Sequence, residues 1–395
     1  MAPSGLQGRF TRAPMYITHT DALADFCEKL QGAPYIAVDT EFLRERTYYA
    51  QLCLVQVAYG ENAAVIDVLA PDLDMGPLRA LLLDPGILKV FHAATQDLAI
   101  FFQKIGQIPA PVFDTQIAAA ACGHGEQVGY AALAQRLLGV EIDKASQATD
   151  WSLRPLTERQ LVYALGDVTF LCQLYEKLAD DLLARDRLTW VQSDMNALCA
   201  EGRYTVDPQL SYLRLRTRHP SRKTLAVLRE LAAWREHTAM ERDLPLSWVV
   251  HDDALIEIAQ NTPRDLGELA RVRALKPGVA KGADGKAILA CVQRALGLPP
   301  AEWPSPPDRK ASADESLVAL LTALLRLRAE AHGVAARLVA TREELDQLAT
   351  GATSGLECLT GWRREMFGED ALALRAGRLA LTGHKGGVTV VSRPG

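Results

Sequence analysis

The sequence lacks a long apolar run, a secretion signal and any paired cysteine motif. A transmembrane helix needs about 20 consecutive apolar residues, and no run approaches that length. Residues 1–12 carry two arginines with no apolar core behind them, unlike a signal peptide. The seven cysteines are dispersed and none stands in C-x-x-C, which is typical of reduced thiols. We therefore expect a cytoplasmic location and no membrane association.

The chain also lacks an excess of basic residues, because 43 Lys and Arg stand against 48 Asp and Glu. A net charge of −5 excludes a general basic coat for nucleic acid. It does not exclude a nuclease, whose phosphate contacts need only local basic patches. One patch within residues 213–223 contains no acid and holds Arg214, Arg216, Arg218, Arg222 and Lys223. This patch could contact substrate or could be a solvated linker face.

A length of 395 residues predicts two or three domains. Strand-like and helix-like signals alternate over residues 1–205, which predicts an α/β domain. Asp114 is placed to cap a helix over 115–122. Thr157 and Gln160 fit a capping box at the start of a long helix.

The remaining residues read as helical. We predict a first helical domain over 213–297, a Pro-rich linker over 298–315 and a second helical domain over 316–385. The two helical sets are similar in length, which indicates a weak internal repeat. Residues 386–395 are expected to form a flexible tail.

Two acids stand near the end of an apolar, strand-like segment. Asp39 and Glu41 are at i and i+2, and side chains alternate along a strand, so both carboxylates point to one side. Close, partly desolvated acids repel each other, and a cation between them would relieve that cost. Taken alone, the pair also fits an exposed strand end with two solvated acids.

Three more residues complete the pattern. Tyr163 and Asp167 are at i and i+4 on the capped helix and share a face, which a helical wheel puts opposite the apolar stripe. Asp97 begins a helix, where the helix dipole favours an acid in any case. Alone, the tyrosine and aspartate would fit a solvent-facing surface, and Asp97 carries little information.

Together these residues predict a metal site that cleaves phosphodiester bonds. Mg²⁺ and similar hard ions are bound by carboxylates and substrate phosphate. Two ions about 3.5–4 Å apart can clamp a scissile phosphate, one activating water and one stabilising the leaving oxygen. A neighbouring tyrosine hydroxyl can orient the attacking water.

The pattern resembles the DEDD exonucleases, whose three motifs match residues 39–41, Asp97 and 163–167, the last in the Tyr-x-x-x-Asp form of the tyrosine-bearing subclass. Most of residues 15–180 resemble the ribonuclease D family more specifically. The blocks that carry this resemblance are 39–56, 91–98, 114–120 and 150–160. No acid of the motif set is missing, so nothing in the sequence indicates an inactive site.

The resemblance implies a ribonuclease H-like α/β domain, with a mixed sheet and flanking helices, followed by two small all-α domains. It implies two divalent metal ions, Mg²⁺ or Mn²⁺, and release of 5′-mononucleotides from RNA 3′ ends, with 3′-extended tRNA precursors as the expected substrate. Tyr163 would orient the nucleophilic water, and Phe42 and Gln56 would lie near the terminal nucleotide. The implied metal ligands are Asp39, Glu41, Asp97 and Asp167.

Residues 228–245 resemble the helicase-and-RNase-D C-terminal (HRDC) domain, a small helical nucleic-acid-binding module. Residues 356–365 are similar to a divergent second copy. In that copy Trp362, Arg363 and Arg364 could stack on and pair with RNA, although a tryptophan at helical spacing fits a core position equally well. Lys144 and Arg154 flank the third motif and could contact phosphates, or serve as ordinary surface residues.

Two other functions remain open from the sequence. A DNA proofreading or repair exonuclease would use the same site, but the chain contains no polymerase or helicase region. A non-catalytic RNA-binding scaffold would have no use for clustered acids that are costly to retain. We expect a monomer without an obligate protein partner.

Overall fold

A computed structural model of the protein describes residues 15–142, 149–306 and 313–393. Among these residues, no helix combines the length and apolar character needed to cross a membrane. Lys144, a predicted substrate contact, lies outside the described residues.

The chain divides into two compact units that are not contiguous in sequence. The first contains the described residues of Met1–Glu41, Leu52–Ala200 and Ala311–Gly395, and the second those of Phe42–Gln51 and Glu201–Lys310. This division differs from the predicted domains in two respects. The second helical domain belongs to the same unit as the α/β domain, and a ten-residue segment of the α/β domain belongs with the first helical domain.

A six-stranded mixed sheet forms the centre of the α/β domain, as the sequence predicted. Its strands are β1 (Met15–Ile17), β2 (Tyr35–Leu43), β3 (Gln51–Tyr59), β4 (Asn62–Asp67), β5 (Leu88–Phe91) and β6 (Val112–Asp114). The spatial order is β1-β4-β3-β2-β5-β6, so β2 lies inside the sheet. β3 and β4 are antiparallel, whereas β1–β4, β2–β5 and β5–β6 are parallel.

Helices cover this sheet and supply the rest of its core. They are α1 (Thr20–Lys29), α2 (Gly76–Leu83), α3 (Thr95–Ile105), α4 (Thr115–Ala121), α5 (Tyr130–Leu138), α6 (Glu158–Ala184) and α7 (Leu188–Leu198). The capping box predicted at the start of α6 is confirmed: Thr157 accepts from the Gln160 backbone N–H, and the Gln160 side chain accepts from the Thr157 N–H. Val168 and Leu171 on α6 belong to the same buried hydrophobic core as Ala37 of β2 and Ala118 of α4.

The helical part of the second unit is built around one long helix. Its helices are α8 (Arg222–Arg242), α9 (Leu246–Val249), α10 (Asp252–Asn261), α11 (Leu266–Leu269), α12 (Pro277–Lys281) and α13 (Ala283–Gly297). Leu228 and Leu231 of α8 are fully buried against Leu255, Ile258 and other residues of this set. Trp303 lies within the predicted linker 298–315, yet it packs on the same core and donates from Nε1 to the Ala295 carbonyl at 3.2 Å.

The C-terminal residues add helices and a hairpin to the first unit. These elements are α14 (Glu315–His332), α15 (Ala336–Val339), α16 (Arg342–Ala349), α17 (Gly361–Arg363), a π-helical turn (Arg364–Gly368), α18 (Glu369–Arg375), β7 (Leu379–His384) and β8 (Gly387–Ser392). The predicted flexible tail is wrong for its described part, because β8 pairs antiparallel with β7. Lys385 and Gly386 both have positive φ, 47° and 83°, as a tight hairpin turn requires. Residues 394–395 lie outside the described residues.

Two tryptophans join these C-terminal helices to the α/β domain. Trp190 of α7 and Trp362 of α17 stack with ring centroids 4.4 Å apart and planes 7° apart. Arg363 is 6% exposed, and its Nη2 donates to the Asp194 carboxylate at 2.6 Å. Trp362 and Arg363 are therefore structural in this unit, and the structure does not offer them to RNA. Arg364, which pairs with Glu369, remains exposed.

We expect Arg363→Ala to destabilise the first unit by about 2–4 kcal/mol, because Asp194 would lose its charged partner inside a packed interface. The neighbouring substitution Arg364→Ala is a matched control and should cost less than about 1 kcal/mol, since its ion pair is exposed. Urea unfolding followed by tryptophan fluorescence measures both. Equal midpoints for the two variants would contradict this interface.

Candidate active site

The centre of the sheet carries the first two acids. Asp39 and Glu41 lie on β2 with Thr40 between them, so the two half-buried carboxylates share a side while Thr40 is turned the other way and buried. Asp167 on α6 is 7% exposed. One carboxylate oxygen from each of Asp39, Glu41 and Asp167 lies within 4.8 Å of those from the other two.

Asp97 stands beside this group of three. It belongs to the first turn of α3, is 7% exposed, and accepts a hydrogen bond from the Thr40 hydroxyl at 2.5 Å. It is not one of the three mutually close carboxylates, yet its charge contributes to raising the pKa of Glu41. Asp97 therefore influences the charge of the site from beside it, and its side chain is held by Thr40 of β2.

Tyr163 lies one turn before Asp167 on α6 and completes the predicted set. Burial raises the pKa of Asp167, and the neighbouring Tyr163 hydroxyl partly opposes that shift. The buried Trp151 lies beside the tyrosine, with ring centroids 6.1 Å apart. Asp167 is more buried than the helical wheel predicted, because α6 packs over most of its circumference.

Two residues that support the site were not recognised in the sequence. Tyr130, at the start of α5, donates to the Asp167 carbonyl at 2.5 Å and to the Gly166 carbonyl at 3.1 Å. This fixes the backbone of α6 at the point where the metal-binding acid is attached. A tyrosine at a helix start has no motif of its own, so only the packing of α5 on α6 reveals this role.

The second is Asp114, which was predicted only as a helix cap. It does cap α4 by accepting from the Gln116 N–H at 2.8 Å. It also accepts from the backbone N–H groups of Ala93 and Ala94 at 3.0 and 2.9 Å. Ala93 has a φ of 60°, unusual for alanine, and Asp114 stabilises this turn immediately before the helix that carries Asp97.

Burial raises the pKa of every acid in the site, and repulsion from neighbouring acids adds to this effect at Asp39, Glu41 and Asp97. Burial, with the charges of Asp39, Asp167 and Asp97, raises the pKa of Glu41 to about 10. Burial raises the pKa of Asp167 to about 7. Burial, followed by the nearest acid's charge, also holds the pKa values of Asp39 and Asp97 well above their usual range. Among the described residues, no lysine or arginine contributes substantially to the pKa values of these four acids.

This site fits divalent metal ions. The donors are carboxylate oxygens, which hard cations prefer, and they converge on one point. No basic side chain among the described residues contributes substantially to the pKa values of Asp39 and Glu41. A cation would replace the protons that burial otherwise favours. Asp39, Glu41 and Asp167 have the geometry to hold such an ion, with Asp97 beside them.

Two of the predicted substrate contacts in the α/β domain, Gln56 and Arg154, are buried or already paired within the protein. Gln56 on β3 is wholly buried, so the predicted contact with a terminal nucleotide is wrong for this conformation. Arg154 donates from Nε and Nη2 to the buried Asp67 at 2.5 and 2.6 Å and also to backbone carbonyls. It forms a structural ion pair instead of the predicted phosphate contact. Phe42 follows Glu41 on β2 and is half-buried.

Some side chains of the predicted basic patch bind other groups of the protein, and others are exposed to solvent. Arg214 pairs with Glu236, Arg222 donates to the carbonyls of Ala301 and Trp303, and Lys223 lies 3.4 Å from the Thr262 hydroxyl. Arg218 is exposed, with no ion pair in the part of the chain that the structure describes.

A mixed sheet with converging carboxylates and a tyrosine on a capped helix fits a metal-dependent hydrolase of phosphodiester bonds, and the family comparison specifies the class as a 3′→5′ exonuclease. Residues 14–183 match the family model described as 3′-5′ exonuclease, and residues 224–292 match that of the HRDC domain.

Relatives that align over most of the chain specify the family within this class of exonucleases. The chain is 45% identical to ribonuclease D of Granulibacter bethesdensis over 372 residues, covering 93% of this chain and 94% of the relative. It is 44% identical to ribonuclease D of Acidiphilium cryptum over 383 residues, covering 96% and 98%. The chain therefore belongs to the ribonuclease D family and is a metal-dependent 3′→5′ exoribonuclease.

Solved structures agree with this assignment. The crystal structure of Escherichia coli RNase D, an exoribonuclease involved in structured RNA processing, matches with a TM-score of 0.80 and 35% identity, covering 93% of this chain and 99% of that one. The catalytic core of RRP6 from Trypanosoma brucei matches with a TM-score of 0.56 and 26% identity, covering 73% and 80%.

Glu41→Gln should stabilise the metal-free protein at about pH 8. The pKa of Glu41 rises from 4.5 to about 10 on folding. Between these values the unfolded chain has lost a proton that the folded chain retains, so stability falls as the pH rises through this window. Removing the ionisable group removes that loss, and the melting temperature in EDTA should rise by a few degrees.

Differential scanning calorimetry across this pH range provides the measurement, with the exposed Glu45→Gln as the control. A lower melting temperature for Glu41→Gln than for the control, at high pH without metal, would contradict the repulsion described above.

Proposed function

We propose that this protein trims the 3′ ends of tRNA precursors, releasing 5′-mononucleotides by hydrolysis with two divalent metal ions, Mg²⁺ or Mn²⁺. The observation that carries the proposal is the convergence of Asp39, Glu41 and Asp167 within 4.8 Å, with Asp97 adjacent. When bound, the ions would neutralise charge on the scissile phosphate and activate the attacking water. Asp39, Glu41, Asp97 and Asp167 would hold them.

The protein's own residues prepare the site for this chemistry. The raised pKa values mean that the four acids bind cations in competition with protons. Thr40 donates to one oxygen of Asp97 and so restricts its orientation. Tyr130 and Asp114 hold the backbone near Asp167 and Asp97, so the ligands are preorganised before metal arrives.

Tyr163 fits the role of a water-orienting group. Burial and the charge of Asp167 raise the pKa of this tyrosine above its ordinary value, so the hydroxyl stays protonated at neutral pH. A neutral phenol cannot serve as the general base, but it can donate or accept a hydrogen bond to position a water. Trp151 packs beside the ring and limits its motion.

The preference for RNA is supported by the relatives, which are ribonuclease D proteins, and by the Escherichia coli structure, whose protein processes structured RNA. The choice of tRNA precursors as substrate is our extension. A DNA exonuclease built on the same acids is the competing outcome, and the assay below separates the two.

The test uses metal-free protein with a 5′-labelled tRNA precursor bearing a 3′ extension, and with single-stranded DNA of equal length. With Mg²⁺ or Mn²⁺ added, we expect the RNA to shorten from its 3′ end with release of 5′-mononucleotides. Below saturation, the rate should rise more steeply than the first power of metal concentration if two ions act. Asp39→Asn should abolish shortening, whereas Asp25→Asn, exposed on α1, should not. Shortening of DNA alone, or activity retained in Asp39→Asn, would overturn the proposal.

Tyr163→Phe should lower kcat roughly 10- to 1,000-fold and weaken metal binding far less, because the hydroxyl only partly opposes the raised pKa of Asp167. The substitution keeps the ring beside Trp151 and removes only the hydroxyl. Single-turnover rates on a short oligoribonucleotide, with Mn²⁺ affinity measured by calorimetry, separate the two effects. An unchanged kcat would remove Tyr163 from the chemistry.

A further inference from the structure

A buried carboxylate in the second unit binds two segments that are distant in sequence. Glu236 of α8 is 1% exposed. Its Oε1 accepts from the Tyr48 hydroxyl at 2.5 Å, and its Oε2 accepts from Arg214 Nη2. The same Nη2 donates to Ser211 Oγ at 2.8 Å. Since a buried charge is costly unless its hydrogen bonds are satisfied, this network fixes both partners firmly.

A second contact fixes the first segment at another point. The Tyr49 backbone N–H donates to the Asp243 carboxylate at 3.0 Å, and Asp243 is the residue that ends α8. Residues 42–51, which immediately follow Glu41 in the chain, are thus attached to α8 through two successive tyrosines. Residues 211–214 are attached to the same helix through Arg214.

Each attached segment carries two exposed arginines at i and i+2. We call Arg44, Arg46, Arg216 and Arg218 the arginine surface; none has an ion-pair partner within the residues the structure describes. Arg44 and Arg46 precede Tyr48 by four and two residues, and Arg216 and Arg218 follow Arg214 by two and four. Because a chain extends at most about 3.6 Å per residue, each arginine Cα lies within about 15 Å of its anchor's Cα. Glu45 offsets one of the four positive charges.

We infer that the arginine surface binds the phosphate backbone of single-stranded RNA. Unpaired guanidiniums are suited to phosphate, and the Glu236 network places the anchors of both arginine pairs on opposite oxygens of one carboxylate. Tyr48 and Tyr49 lie edge to face with ring centroids 4.9 Å apart, and aromatic rings among basic residues are typical of single-strand binding surfaces. This inference rests on the proposed function for the nature of the ligand.

The test measures binding, so that it is independent of cleavage. A fluorescein-labelled single-stranded RNA longer than about 16 nucleotides is titrated by anisotropy in EDTA, over a series of salt concentrations. Two double variants are compared, Arg44→Gln with Arg46→Gln, and Arg216→Gln with Arg218→Gln. Arg271→Gln with Arg273→Gln is the matched control, because these exposed arginines have the same spacing, lie on the same unit and remove the same charge.

We expect each test pair to weaken binding several-fold and to reduce the slope of log affinity against log salt by about 0.7 per arginine lost. The control pair should leave the slope within error of the unsubstituted protein. Slopes for the test pairs equal to that of the control would overturn the inference. RNA binding that shows the expected slopes, in a protein that fails to shorten RNA with metal, would instead overturn the proposed function and leave the surface standing.

A further variant tests the anchoring. Tyr48→Phe removes the hydrogen bond to Glu236 but no positive charge, and we expect weaker RNA binding with a nearly unchanged salt slope. Circular dichroism and thermal melting confirm that this variant is folded. Unchanged RNA affinity in a folded Tyr48→Phe protein would show that the network does not organise the arginine surface.

Discussion

The catalytic unit must hold several carboxylates close together although they repel one another. Asp39, Glu41 and Asp167 bring oxygens within 4.8 Å of one another, and Asp97 adds a fourth charge beside them. The folded chain pays for this arrangement with acids whose pKa values lie far above normal. Such a cluster gives no structural benefit by itself. It makes physical sense as a site that is completed by cations and substrate phosphate.

The surrounding structure keeps these ligands in place while they repel. β2 lies inside the sheet and cannot shift without disrupting its neighbours. Thr40 binds Asp97, Asp114 secures the turn before α3, and Tyr130 fixes the backbone at Asp167. Each support is a hydrogen bond to a group that repulsion would otherwise displace. Within the second unit, the segment that follows Glu41 in the chain is attached to α8 through Tyr48 and Glu236.

Much of this could be predicted from the sequence, for identifiable reasons. The strand alternation that puts Asp39 beside Glu41 and the capping box at Thr157 are local patterns, and the structure reproduces both. Long-range pairings were not predictable. Arg154 was interpreted as a possible phosphate contact or an ordinary surface residue, because nothing near it in sequence indicates Asp67, 87 residues away. Gln56 was expected near substrate, but sheet packing buries it completely. The C-terminal hairpin was missed because its strands are short and largely exposed, so they carry little apolar signal.

Anomalous diffraction from crystals soaked in Mn²⁺ is the most direct measurement of the central claim, since it locates the cations without depending on turnover. We expect anomalous peaks in contact with Asp39, Glu41 and Asp167, a second position reaching Asp97, and loss of both in Asp39→Asn crystals. Absence of manganese from these carboxylates, at concentrations that support RNA shortening, would contradict the account.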